Sequence, residues 1–331
     1  MKLAIIHGAL PAIDAVRRAL AGERDITVLW SASDSGRAED RARHERPDVA
    51  LVGAALEGAA ALTRTLSEEL GCPVMVIAED SPAARSSTFD LMSAGAVDVL
   101  VLPGLSGGVG DLAGLRAKLA ILRRLSGREL PVRRSSPTFN PSRPVLVALG
   151  ASTGGPHALA AVLAAFPATL AAAVLIVQHI DPQFSEGMAQ WLSRTTGFPV
   201  ELATPGARPR PGAAYVGAVG QHMVVEPDGS LGFTNRPRDA AHRPSIDVLF
   251  TSLVRRARPG VAALLTGMGR DGAAGLAALR TVGWRTIAQD EATSVVYGMP
   301  KAAVEMRAAI YVLPLDQIGP AITRLVGELN S

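Results

Sequence analysis

The sequence predicts two successive α/β domains: a flavodoxin-like, doubly wound parallel sheet, then a mostly parallel sheet with an antiparallel hairpin edge. Three observations predict it. Short apolar runs alternate with helical patterns over residues 1 to 103; a Pro-, Ser- and Arg-rich stretch without apolar period interrupts the chain; and the alternation resumes from Val145 with a different rhythm. At 331 residues there is room for two domains of roughly 100 to 200 residues each.

In the first half KLAIIH, ITVLW, DVALVG, PVMVIA and VDVLVL read as strands, with helices such as PAIDAVRRAL between them. DLAGLRAKLAILRRL reads as a further helix, ended by Gly127. GRELPVRRSSPTFNPSRP has no apolar period and reads as a linker. The expected boundaries are therefore 1–126, a basic linker over 127–143, and a second domain over 144–331. In that domain PVLVALG, AAVLIVQH, VAALLTG and WRTIAQ read as parallel strands. AAYVGAV and HMVVEPDGSLGFT are β-rich, and the Pro-Asp-Gly-Ser turn in the latter signals a hairpin, expected as an antiparallel edge.

Composition excludes several function classes. The chain is 48% apolar and 19% charged, as soluble globular domains are. No apolar run reaches the ~18 residues that a membrane span needs, so no membrane insertion is expected. The start, MKLAIIHGALPAID, turns polar too soon for a signal peptide and reads as a first strand. A single cysteine, Cys72, excludes an internal disulfide framework and fits a cytoplasmic protein. The net charge is only +3, and the basic cluster Arg133 to Arg143 lacks the aromatic interleaving of a single-strand binder, so nucleic acid is not an expected partner.

The stretch LGASTGGP joins an apolar strand to a helix, and admits three readings: a tight turn, a phosphate cradle, or the seat of a nucleophile. Open α/β sheets hold ligands at the carboxyl ends of their strands. There the first strand delivers Ser152 and Thr153, the second Gln178, His179 and Asp181, and VAALLTGMGRDG delivers Thr266, Met268, Arg270 and Asp271. A Ser, a His and an Asp thus reach one rim from separate strands, which is the inventory for acyl transfer: nucleophile, base and orienting carboxylate. Gly150-Ala-Ser152-Thr-Gly154 also fits G-x-S-x-G, in which small neighbours allow a sharp turn that exposes the hydroxyl.

Each residue has a plainer reading. Gly-rich turns are commonly only turns; His157 reads as a surface or packing residue; His179 alone could be a satisfied buried histidine; and Asp271 could cap the helix GAAGLAALR. His222 and His242 lie in loop or hairpin surroundings where a solvated histidine is the default, with a substrate-facing role open to either. A rival motif is Gly267-Met-Gly269-Arg-Asp-Gly272, a G-x-G-x-x-G with Asp290 and Glu291 about twenty residues on. It falls late in the domain, and Asp271 would repel a pyrophosphate.

GASTGGP, VLIVQHIDPQFSEGMAQWL, HRPSIDVLFTSL, LLTGMGRDGAAGL and TIAQDEATSVVYGMP together resemble the catalytic domain of chemotaxis-type protein-glutamate methylesterases, over residues 144 to 325. The resemblance implies Ser152 as nucleophile, His179 as base, Asp271 as its orienting carboxylate, and oxyanion donation from the backbone around Thr153 and Met268, with no metal or organic cofactor. It also implies hydrolysis of glutamyl methyl esters, with glutamine side chains as a second substrate, on methylated chemoreceptors, and contacts with other chemosensory proteins. Residues 1 to 103 resemble the receiver domain that precedes this module in the family, through RPDVALVG and SAGAVDVLVLPG. Yet Gly53 stands where the phosphoacceptor is expected, His7 and Gly8 replace the metal-binding acidic pair, Ile77 or Ala78 replaces the hydroxyl residue, and Leu102 replaces the lysine before Pro103. Without carboxylates such a pocket cannot hold Mg²⁺ or accept a phosphoryl group. A regulatory domain without phosphoacceptor chemistry is expected. The alternatives are a dinucleotide-binding protein and a non-catalytic docking or scaffold protein.

Overall fold

The computed structural model describes residues 1–331 except 22, 24, 80–81, 103–118, 120–143, 218–219 and 256–257. The expected linker, the Arg133–Arg143 cluster and nearly all of the helix DLAGLRAKLAILRRL lie outside the described residues. Two compact units divide the chain, Met1–Glu129 and Leu130–Ser331. Among the described residues no helix is long and apolar enough to cross a membrane.

The first unit alternates β1 (Lys2–Ile6), α1 (Leu10–Leu20), β2 (Thr27–Ala32), α2 (Ser35–His44), β3 (Val49–Gly53), α3 (Ala59–Arg64), β4 (Val74–Glu79), α4 (Pro82–Ser93) and β5 (Asp98–Leu102). The sheet is parallel throughout, in the order β2-β1-β3-β4-β5, the doubly wound receiver-like arrangement. Local signals agree with it: proline opens α1, and the Asp34 carboxylate accepts from Arg37 N at 2.9 Å to cap α2. Leu3, Ile5, Val49, Leu51 and Met75 are wholly buried against Ile13, Val16 and Leu20 of α1. Each such side chain contributes about 1.5–3 kcal/mol through its removal from water.

The second unit contains β6 (Val145–Ala151), α5 (Gly155–Ala164), β7 (Ala172–Gln178), α6 (Ser185–Thr196), β8 (Val200–Leu202), β9 (Ala214–Val216), β10 (His222–Val225) and β11 (Leu231–Thr234). It continues through α7 (Ile246–Leu253), β12 (Val261–Leu264), α8 (Ala273–Thr281), β13 (Arg285–Gln289), α9 (Met299–Glu305), β14 (Tyr311–Leu313) and α10 (Leu315–Asn330). Seven strands form one parallel sheet in the order β14-β13-β12-β6-β7-β9-β8. The central strands β6, β7 and β12 are buried along their whole length, as helices on both faces require.

The hairpin forms around Pro227-Asp-Gly-Ser230, but β10 and β11 make a separate two-stranded antiparallel sheet. The edge of the large sheet is taken by the parallel strands β9 and β8 instead. β10 is tied to α7 through Val225 N, which donates to Ser252 Oγ at 3.0 Å.

From β6 the chain first builds the β7 side of the sheet, then crosses to β12 on the other side. Strand order reverses there. A crevice opens at the carboxyl ends of such strands, and this is where open α/β sheets bind ligands.

Candidate active site

β6 ends at Ala151, and Ser152 follows in a turn closed by Gly155 N donating to Ser152 O at 2.7 Å. Gly154 has φ +75°, and a Cβ there would lie 2.5 Å from Val295 Cβ. Both the left-handed backbone and the crowding require glycine. Ser152 N donates to Thr266 O at 3.0 Å, which fastens the turn to the segment after β12. The side chain of Ser152 packs against Gly267, whose missing Cβ would otherwise meet Ser152 Cβ at 2.6 Å.

Register then selects the neighbour. Ala151 pairs with Gln178, and His179 N donates to Ala151 O at 3.0 Å, so His179 lies beside Ser152 one step past the last pair. From the third strand end, the Thr266 hydroxyl donates to Thr153 O at 2.9 Å and accepts from Val296 N at 2.8 Å, while Thr266 N donates to Gln289 Oε1 at 2.8 Å. These bonds hold the loop that carries Asp271.

The Asp271 carboxylate is fully engaged. Oδ2 lies 2.8 Å from His179 Nε2 and accepts from Ile246 N at 2.7 Å; Oδ1 accepts from Ser245 Oγ at 2.8 Å and from Asp247 N at 3.1 Å. It therefore sits on the amino terminus of α7, where free N–H groups and the helix dipole favour an anion. Burial alone would push this carboxyl up. The hydrogen bond and charge of His179, with the N–H groups of Ile246 and Asp247, outweigh burial and hold it well below the usual carboxylate range. The reading of Asp271 as cap of GAAGLAALR is corrected: Gly272 is the N-cap of α8, and Asp271 serves the start of α7 instead.

With Nε2 donating to the carboxylate, His179 presents its lone pair at Nδ1. That atom is buried and has no hydrogen-bond partner among the described residues. Ser152 and His179 are thus neighbours that are not yet hydrogen-bonded, a common state in resting sites. Thr153 N and Met268 N, the expected oxyanion donors, make no hydrogen bond to the protein among the described residues. Thr153 is buried, whereas Met268 is 41% exposed.

The other histidines divide. His157 packs edge-on to Trp191, with centroids 6.0 Å apart. His222, expected to be solvated, is wholly buried: its Nδ1 accepts from Ser245 N at 3.0 Å and its Nε2 donates to Pro237 O at 3.2 Å, bracing the segment that enters α7. His242 is stacked on His179 at 4.1 Å between centroids. Residue-by-residue reading also passed over Ser245 and Asp247. The signal was present in HRPSIDVLF, where a Ser precedes an apolar helix with an Asp in its first turn.

The dinucleotide motif loses its footing in this geometry. Both oxygens of Asp271 are committed within it, and Asp290 accepts from Thr293 N at 2.9 Å in a local turn instead of standing free for a ribose.

In the first unit, His7 follows β1 and is 4% exposed, with Ala9 N donating to its Nδ1 at 3.1 Å. A Cβ at Gly53 would lie 2.5 Å from His7 Cδ2. An imidazole occupies the place of the expected carboxylates. Ile77 and Ala78 are buried within β4, and Glu57 is exposed beyond β3.

The fold and this rim define a class, an α/β protein of hydrolase type with its site at the strand ends of a parallel sheet. Residues 147–322 match the family described as CheB methylesterase. The protein-glutamate methylesterase/protein-glutamine glutaminase 3 of Burkholderia orbicola is 42% identical over 330 residues, spanning 97% of each chain. A protein of the same description from Cupriavidus metallidurans is 41% identical over 99% of each chain. The crystal structure of the Thermotoga maritima CheB methylesterase catalytic domain covers 56% of this chain and 100% of its own, with 30% identity and a TM-score of 0.54. The chain belongs to the CheB methylesterase family, and is thus a carboxylic ester hydrolase.

Proposed function

We propose that this protein hydrolyses glutamyl methyl esters on the cytoplasmic helices of chemoreceptors, with Ser152, His179 and Asp271 as its catalytic triad. The observation that carries the proposal is the His179–Asp271 bond at 2.8 Å, which leaves Nδ1 unpartnered on a residue whose backbone stands beside Ser152 at the strand ends. Ser152 Oγ attacks the ester carbonyl while His179 Nδ1 takes its proton; the oxyanion is received by Thr153 N–H and Met268 N–H. Collapse expels the methoxy group, which leaves as methanol with the proton from His179. Water, deprotonated by the same nitrogen, then releases the glutamate carboxylate. A glutamine side chain follows the same path with ammonia as leaving group, and the relatives' description as glutaminases supports that second substrate. No metal or organic cofactor takes part.

The domain reading is 1–126 as a receiver-like regulatory domain without phosphoacceptor chemistry, 127–143 as linker, and 144–331 as the catalytic domain. Methylated receptors are the protein substrate, other chemosensory proteins are further partners, and the compartment is the cytoplasm. A non-catalytic docking role is the competing reading, and an intact rim argues against it. The test is methanol release from methylated receptor membranes by wild type and Ser152→Ala. Loss of a triad nucleophile costs on the order of 10⁶ in turnover. Retention of more than a few per cent of the rate by Ser152→Ala would end the triad assignment.

A further inference from the structure

We propose that Gln178 is a positioning residue whose single buried carboxamide locks the nucleophile turn to the strand end that carries the base, an inference that rests on the triad reading above. The parallel ladder between β6 and β7 runs out at the Ala151–Gln178 pair and the bond from His179 N to Ala151 O. Past that point neither the Ser152 nor the His179 carbonyl has a strand partner: Ser152 O accepts from Gly155 N within its turn, at 2.7 Å, and no backbone bond among the described residues ties it to the β7 strand end. Gln178 Nε2 reaches both carbonyls, donating to Ser152 O at 2.8 Å and to His179 O at 3.1 Å. One amide nitrogen carries two protons, so both bonds form together. The amide orientation is fixed by its surroundings, because the reverse orientation would set Oε1 against two carbonyl oxygens.

The site is built around this side chain. Gln178 is 3% exposed, and its Oε1 is buried without a hydrogen-bond partner among the described residues. That oxygen lies beside Gly155, the first residue of α5, where the positive end of the helix dipole offers it a favourable field. A Cβ on Gly155 would run into Oε1, so the glycine after the nucleophile turn makes room for the carboxamide. An unbonded buried oxygen is a cost that an apolar residue of the same shape would avoid. What the carboxamide adds is geometry: the backbones of nucleophile and base are joined through one nitrogen. Ser152 and His179 must close to hydrogen-bond distance for proton transfer, and a 1 Å misplacement of reacting groups can cost on the order of 100-fold in rate.

The experiment compares full-length wild type, Gln178→Met, Gln178→Glu and Ser152→Ala for methanol release and for the rate at which a fluorophosphonate probe labels Ser152. Gln178→Met keeps the length and removes both donors; we expect kcat and the labelling rate to fall together by roughly 10- to 100-fold with KM changed less than about twofold. Gln178→Glu should fall similarly near neutral pH. Its deficit relative to wild type should shrink as pH drops, since a protonated carboxyl regains one donor; the Gln178→Met deficit should not move with pH. If Gln178→Met does not fold, Gly155→Ala displaces the same carboxamide by crowding and is expected to reproduce the loss of kcat. Wild-type kcat and labelling in Gln178→Met, or in Gly155→Ala where Gln178→Met is unfolded, overturn the inference while an inactive Ser152→Ala leaves the triad standing. An active Ser152→Ala overturns the triad, and the inference with it.

Discussion

The His179 ring lies flat against the His242 ring, with centroids 4.1 Å apart and planes 17° from parallel. One face of the proposed base is therefore closed by a second imidazole from the segment that leads into α7. Burial lowers the affinity of His242 for a proton, the neighbouring His179 lowers it further, and the Asp271 charge only partly opposes them. His242 is consequently a neutral cover at neutral pH, and two stacked imidazolium rings would repel.

His242→Ala should therefore lower kcat by roughly two- to tenfold, the scale of one aromatic pair, while His242→Phe retains most of the rate. The pH dependence of stability follows from the sign of the shift. A histidine whose folded value is lowered contributes stability that is full above its ordinary value of about 6.5 and is lost as pH falls through the folded value. Denaturation of His242→Phe should thus show less loss of stability between about pH 7 and 5 than wild type. An equal loss in both proteins would remove His242 from the account.

Asp271 makes the opposite kind of contribution. Its folded value is depressed, so its stability is present above the ordinary carboxylate value of about 3.9 and lost only as pH falls below that. The neighbouring Asp247, whose carboxyl burial pushes up, accepts from Gly275 N at 2.6 Å and does not share that behaviour. Asp271→Asn should keep the fold, since its amide oxygen can still accept from Ser245 Oγ and Asp247 N, yet the amide nitrogen then faces His179 and should lower kcat on the order of 10⁴-fold by losing the tautomer that exposes Nδ1. The acidic limb of the wild-type rate profile should then report an imidazole, with nothing from Asp271 above about pH 4. A rate flat from about pH 5 to 8, with chemistry rate-limiting, contradicts a histidine base.

Much of this was legible in sequence because it depends on strand ends. The runs PVLVALG and AAVLIVQH are apolar enough to be strands, so the residues after them had to reach one rim, and Ser152 and His179 do. The partners of Asp271 were not legible, because Ser245, Ile246 and Asp247 come from a helix start that only tertiary packing brings to the loop. The strands Val200–Leu202 and Tyr311–Leu313 escaped because three residues carry no period. Val200–Leu202 forms one edge of the large sheet beside Ala214–Val216, and the hairpin stands apart. His222 was misjudged as solvated since a hairpin residue can face inward, and its burial is decided by α7. Gln178 lay in plain view at the strand end, but its role depends on two carbonyls that face it where the ladder stops.

The first unit departs furthest from receiver chemistry, and its pocket yields the last prediction. Phosphorylation of a receiver needs a carboxylate acceptor and further carboxylates that hold Mg²⁺. Gly53 stands where the sequence pattern leads one to expect the acceptor, and the His7 ring packs against it, 2.5 Å from where a Cβ would stand. His7 is buried, with its Nδ1 accepting from Ala9 N, so the ring is held in place and does not leave an empty pocket. Small-molecule phosphodonors with Mg²⁺ should therefore neither label residues 1 to 103 nor change the esterase rate. Gly53→Asp alone should not restore labelling, because the new side chain meets the imidazole and no acidic pair stands beside it. It should instead destabilise the unit by about 1–3 kcal/mol, the usual cost of overpacking, read as a lowered denaturation midpoint. His7→Asp combined with Gly53→Asp relieves the clash and supplies a second carboxylate, so it should recover stability relative to Gly53→Asp. Phosphodonor-dependent labelling of the wild-type first unit, or a rate that rises with it, would show that some other residue there accepts the phosphoryl group and would overturn the plugged-pocket account.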